Sequence, residues 1–125
     1  MVRKFEDLRI WRESMDLVEG VFRITAGFPK SEIYGLTNQV RRAAVSIPSN
    51  ISEGCGMATD KGFINYLHNA LGSAKEVKCQ LMIATRLGFL EEKKADRIID
   101  VSDKVIGMLM RFIKYVFDKR SKDEI

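Results

Sequence analysis

The sequence predicts an all-α fold, an antiparallel up-down-up-down four-helix bundle forming one domain over residues 1–125. Three observations carry that expectation. Apolar residues recur at alternating steps of three and four, the spacing that lines them along one helix face. Only two prolines and nine glycines occur in 125 residues, and long stretches contain neither. Four segments of comparable length are joined by short connections, which sets consecutive helices side by side in opposite directions.

The first helix is expected over about residues 6–26, with the stripe Leu8, Trp11, Met15, Val18 and Phe22. Gly27, Phe28 and Pro29 end it, and Ser31 offers an N-cap for the next. The second, about 32–54, carries Ile33, Leu36, Val40, Ala43, Ile47 and Ile51 and stops at Gly54-Cys55-Gly56. Thr59 or Asp60 caps the third, about 60–87, whose stripe is Phe63, Leu67, Ala70, Ala74, Val77, Leu81 and Ala84. Gly88 supplies its C-terminal stop. The fourth, about 91–118, presents Ala95, Ile98, Ser102, Val105, Leu109, Phe112 and Val116.

Several helices are apolar on a second face as well. Ile10, Leu17, Val21 and Ile24 stand beside the first stripe, Ile64, Leu71 and Met82 beside the third, and Ile99, Ile106 and Ile113 beside the fourth. A monomeric bundle needs one wide stripe per helix, so the excess predicts a second buried surface and a homo-oligomer.

The stretch QVRRAAVSIPSNISEG, residues 39–54, holds Pro48 in mid-pattern. The apolar phase passes through Pro48 unchanged, which predicts a helix that continues with a kink there. The alternative is a helix that ends near Ser46 and restarts with Pro48 at its first position. A polar stripe flanks the apolar one: Gln39, Arg42, Ser46, Asn50 and Glu53. Counting back from the turn at residues 54–59 sets Arg42 level with Ser73 and Glu76. An interhelical polar network follows as an expectation, with Arg42 forked onto the Glu76 carboxylate. Arg41, about 100° away around the helix, is left to solvent or a ligand.

Catalytic chemistry finds no constellation. His68 is the one histidine, and Asn65 stands where a di-iron bundle needs the glutamate of Glu-x-x-His. Residues 61–67, KGFINYL, lack the arginine that a helical ribonuclease sets before its histidine. No phosphate-cradling glycine loop and no nucleophile–base set occur. No enzyme activity, metal or cofactor is expected. Cys55 and Cys79 match no zinc or redox spacing. The opening MVRKFEDLRIWRE has no apolar core, and no run approaches the roughly 18 apolar residues of a membrane span. A cytoplasmic protein with free thiols and no membrane partner is expected.

The formal net charge is +4. Basic and acidic residues number six and five over residues 1–30, two and two over 31–59, four and two over 60–90, and nine and eight over 91–125. The excess is spread thinly, so it permits nucleic-acid binding without demanding it. Candidate phosphate contacts are Arg3, Lys4, Arg9 and Arg12, Arg41, Lys75 and Lys78, and the C-terminal group Arg111, Lys114, Lys119 and Arg120. Cations at the end of a last helix equally suit its dipole.

Phe5-x-x-Leu8-x-x-Trp11, the run from Gln39 to Gly54, Gly72-Ser73-x-x-Glu76 and Leu87-Gly88-Phe89-Leu90 occur in order. Together they resemble the four-helix-bundle proteins encoded in 23S rRNA intervening sequences, over about residues 5–116. The resemblance implies a bacterial cytoplasmic bundle that associates as a pentameric ring. It also implies kinship with the accessory variability determinant of diversity-generating retroelements, a basic pentamer that binds nucleic acid and a reverse transcriptase. Neither activity nor cofactor follows from it. Two functions are therefore expected to compete: a homo-oligomer that binds RNA or DNA largely without regard to sequence, and a protein-interaction scaffold with no direct nucleic-acid contact.

Overall fold

A computed structural model describes residues 4–123, with side chains through Lys119. Among the described residues are four α-helices: α1 (Arg9–Thr25), α2 (Leu36–Cys55), α3 (Asp60–Arg86) and α4 (Glu92–Asp123), with 3₁₀ turns at Phe5–Asp7 and Lys30–Glu32. No strand occurs among them.

Local chemistry explains the boundaries. The Thr59 hydroxyl accepts the Gly62 N–H at 3.0 Å and caps α3. At its other end, the Phe89 N–H bonds the Ala84 carbonyl at 2.9 Å and the Gly88 N–H bonds that of Thr85 at 3.1 Å. This paired closure needs a left-handed residue, and Gly88 supplies it at φ +80°. The start of α2 differs from expectation. Ser31 lies in the 3₁₀ turn, and the Glu32 carboxylate, one turn before the helix, accepts the Leu36 N–H at 3.2 Å. Ile33 consequently falls before the helix and is 48% exposed.

Helix α2 runs unbroken across Pro48, so the restart alternative is excluded. Its stripe from Leu36 through Ile51 is buried, as are the whole α3 stripe and the α4 stripe except half-buried Phe112.

Helix α1 corrects the expected face. Its buried residues are Ile10, Ser14, Leu17, Val21 and Thr25, whereas Trp11, Met15 and Val18 are half-buried and Phe22 is exposed. The core face was hard to recognise because two of its five positions are hydroxyls. Each hydroxyl is satisfied within the helix: Ser14 donates to the Trp11 carbonyl at 2.7 Å and Thr25 to that of Val21 at 2.7 Å. So satisfied, they enter the core without an unpaired polar group.

Packing joins the helices in the cycle α1–α2–α3–α4–α1, and among the described residues no diagonal pair brings its backbones within 8 Å, Cα to Cα. Leu17, Val21, Ile47, Ile51, Phe63, Leu67, Val77, Leu81, Val105 and Leu109 fill the centre. Where α2 ends on α3, a Cβ on Gly54 would stand 2.9 Å from both Phe63 Cδ1 and Tyr66 Cβ. Four corners leave four outer faces, and these differ sharply in chemistry.

Candidate nucleic-acid interface

The α1–α2 face is apolar. Trp11, Met15, Val18, Val45 and Pro48 line a groove there, and Phe22 and Val45 are 40% and 42% exposed. On the opposite α3–α4 face, Cys79, Met82, Ile83 and Ile106 form an apolar groove edged by Lys75, Lys78, Arg86 and Asp103. The α2–α3 face is polar and nearly neutral, lined by Asn38, Gln39, Arg42, Ser46, Ser73 and Glu76.

The α1–α4 face is the basic one. Arg9, Glu13, Asp16, Gly20 and Arg23 follow one another at steps of three and four along α1. Lys94, Arg97, Val101, Lys104, Met108 and Arg111 do the same along α4. One groove is lined by Asp16, Arg23, Lys94 and Arg97 over Ile24, Ile98 and Val101. A second lies between Arg9 and Arg111 over Leu8, Met108 and Phe112. Between them Glu13 takes Lys104 at 3.2 Å and Arg9 at 3.7 Å. The two grooves and the bridge between them thus hold six cations and two carboxylates, with exposed Asp100 beside Arg97 and Lys104 on α4, an imbalance suited to a polyanion. Arg23, Lys94, Arg97 and Arg111 have no ion pair within 4.0 Å among the described residues.

The cations expected from the sequence scatter across the molecule. Arg9 and Arg111 join the basic face. Lys4 is exposed, and Arg12 closes the first 3₁₀ turn by donating to the Glu6 and Asp7 carbonyls at 3.3 and 2.9 Å. Lys75 and Lys78 belong to the α3–α4 groove, where Lys78 pairs with Asp103 at 2.7 Å. Lys114 donates to Asp118 at 2.8 Å, and that bond, with the carboxylate's charge, holds its ammonium pKa above the ordinary lysine value. Lys119 is exposed. Arg3 and the Arg120 side chain lie outside the described residues. Sequence reasoning missed Arg23, Lys94, Arg97 and Lys104, because it sought dense basic runs. The signal was the seven-residue spacing of Arg97, Lys104 and Arg111, with Lys94 three residues before the first, along one side of α4.

The polar stripe of α2 meets α3 at Ser46, whose hydroxyl lies 2.8 Å from that of Ser73. Asn50 Nδ2 braces it, donating to the Ser46 carbonyl and hydroxyl at 2.8 and 2.9 Å. Gln39 and Glu53 are exposed. The expected Arg42–Glu76 fork is absent: no ion pair within 4.0 Å joins them, and Glu76 accepts from Gln80 Nε2 at 3.1 Å. The two arginines have exchanged roles. Arg42 is exposed, whereas half-buried Arg41 donates from Nε to the Thr25 hydroxyl at 2.8 Å and lies 4.8 Å over the Phe22 ring.

The family model described as 23S rRNA-intervening sequence protein matches residues 6–111. The chain belongs to that family. A solved structure of a protein with unknown function from the S23 ribosomal protein family, from Bacteroides thetaiotaomicron, is similar at 21% identity with a TM-score of 0.76. The similarity covers 84% of this chain and 98% of that one, and at that identity it shows the shared fold alone. No curated protein matches the chain. No described helix is long and apolar enough to cross a membrane.

Proposed function

We propose that this protein is a non-enzymatic homo-oligomer that binds RNA or DNA through its α1–α4 face, largely without regard to sequence. The observation that carries the reading is the imbalance across that face's two grooves and bridge, six cations against two carboxylates on two adjacent helices. Long cationic side chains on helix surfaces suit phosphates and read few base edges, so the binding is sequence-tolerant and salt-sensitive.

The apolar faces support self-association. Bundle geometry sets the α1–α2 and α3–α4 faces on opposite sides, so one face of each copy meets the other face of the next. Such head-to-tail contacts close into a ring when the rotation per subunit allows. The resemblance to the intervening-sequence bundles favours a pentamer for that ring. Assembly would leave every α1–α4 face pointing to the same side, multiplying the charge a nucleic acid meets. Ser46 against Ser73 and Gly54 against Phe63, then Lys78 against Asp103 and Phe63 against Phe112, pair in reverse order, which supports the antiparallel arrangement. Pro48, lacking an N–H for the Ala44 carbonyl and crowding it, bends α2 at that point.

The test is a gel-shift titration with structured RNA and duplex DNA at low and moderate salt, with mass measured in solution. Retardation that Arg23→Glu with Arg97→Glu abolishes is expected. No retardation at low salt ends the reading. The exposed apolar faces favour a second one, a scaffold for another protein; a monomeric mass together with no retardation would select it.

A further inference from the structure

We infer that the groove between Arg23 and Arg97 holds one unstacked nucleotide of a single strand. Its phosphate would meet Arg23, Lys94 and Arg97, and its base would lie on Ile24, Ile98 and Val101. This rests on the nucleic-acid reading above and narrows it from a charged face to a site.

Phosphate attraction alone needs no apolar floor. Here the three cations, with Asp16 the one carboxylate beside them, border a groove of about 500 Å³, within the size range of small-ligand sites, whose base is hydrocarbon. The floor exists because α1 has no side chain at Gly20: Ile98 Cδ1 reaches to 2.7 Å from where a Cβ would stand. Ile24 and Val101 are only half-buried beside it. A cationic rim over an apolar floor fits a ligand with an anionic part and a flat apolar part. A duplex shows its phosphates and hides its bases, so it would leave the floor uncovered.

The arrangement repeats along the same face. Met108, seven residues after Val101, lies about 10 Å along α4 at 1.5 Å per residue. There Leu8, Met108 and Phe112 form the second floor, bordered by Arg9 and Arg111. Two floors with flanking cations, separated by the Glu13–Lys104 bridge, suit a polymer that alternates base and phosphate. A free nucleotide or a single acyl anion would use one and leave the other. Apolar floors read no base edge, so no sequence preference is added.

The experiment measures fluorescence anisotropy of a labelled oligouridine and of a duplex RNA of equal length, using the full chain. Val101→Trp fills the groove without changing charge, Ile24→Gln makes its floor polar, and Arg97→Glu removes a phosphate contact. Circular dichroism checks that each variant stays helical, and Ile24→Gln serves if Val101→Trp does not fold. The groove variants are expected to weaken single-strand binding about tenfold, the scale of the apolar contact that one base face would lose, and to leave duplex binding unchanged. Arg97→Glu should weaken both. If the groove variants bind the single strand as wild type does while Arg97→Glu weakens both, the nucleotide site is overturned and the charged face stands. If Arg97→Glu with Arg23→Glu alters neither, both readings fall.

Discussion

Arg41 Nε donates to the Thr25 hydroxyl at 2.8 Å, and that hydroxyl donates in turn to the Val21 carbonyl at 2.7 Å. Through this relay α2 is tied to the last turn of α1, and the same guanidinium covers the exposed Phe22 ring. Its neighbour Arg42, one position on, projects from a different face and touches no carboxylate within 4.0 Å among the described residues.

Arg41→Ala should therefore destabilise the fold by about 1–3 kcal/mol, from a charge-assisted hydrogen bond and a cation–π contact. Arg42→Ala should fall within about 0.5 kcal/mol of wild type. Urea unfolding of Arg41→Ala, Thr25→Val and the double variant gives the coupling. Additive losses would show that the 2.8 Å contact carries no stability.

Gly54→Ala sets two effects against each other. Within a helix alanine gains at most about 1 kcal/mol of propensity over glycine, and less at the second-last position that Gly54 holds in α2. The new methyl, however, meets Phe63 and Tyr66 at 2.9 Å, and overpacking a close helix contact costs about 1–3 kcal/mol. Net destabilisation is expected. A raised melting temperature would mean that α2 and α3 separate there at little cost.

Cys79 is exposed on the α3–α4 face and Cys55 is buried. In dilute monomer one thiol should react with a disulfide reagent at once, and the second only on unfolding. If that face docks against another copy, Cys79 labelling slows as protein concentration rises. A rate independent of concentration across the association range would remove the α3–α4 face from the interface.

Lys94→Gln removes one cation from the basic face. Nucleic-acid affinity should drop about equally for all sequences, and the slope of log K against log salt should lose about one unit. Lys61→Gln, a cation that lines none of the α1–α4 grooves, is the matched control. Equal effects from both would mean that charge anywhere on the chain suffices.

The helices, their order and the buried faces of α2, α3 and α4 were legible in the sequence. On each of those the apolar stripe dominates its helix, so periodicity alone identifies the inner side. On α1 two stripes compete, and the one that enters the core carries Ser14 and Thr25, whose backbone bonds conceal their polarity. Periodicity has no access to that satisfaction.

Pro48 marks the same division. Its unbroken apolar phase told that the helix continues, because phase is a property of one segment. Which of Arg41 and Arg42 turns inward was beyond reach, since adjacent residues lie about 100° apart and only the position of α1 selects between them. Only the α4 half of the basic face left a signal in the sequence: α1 and α4 contribute to it from opposite ends of the chain, and neither is strongly basic by itself. The sequence alone determined what α2, α3 and α4 would bury and that α2 would continue across Pro48. Tertiary structure set α1 beside α4, and with that decided which scattered charges were gathered into a surface.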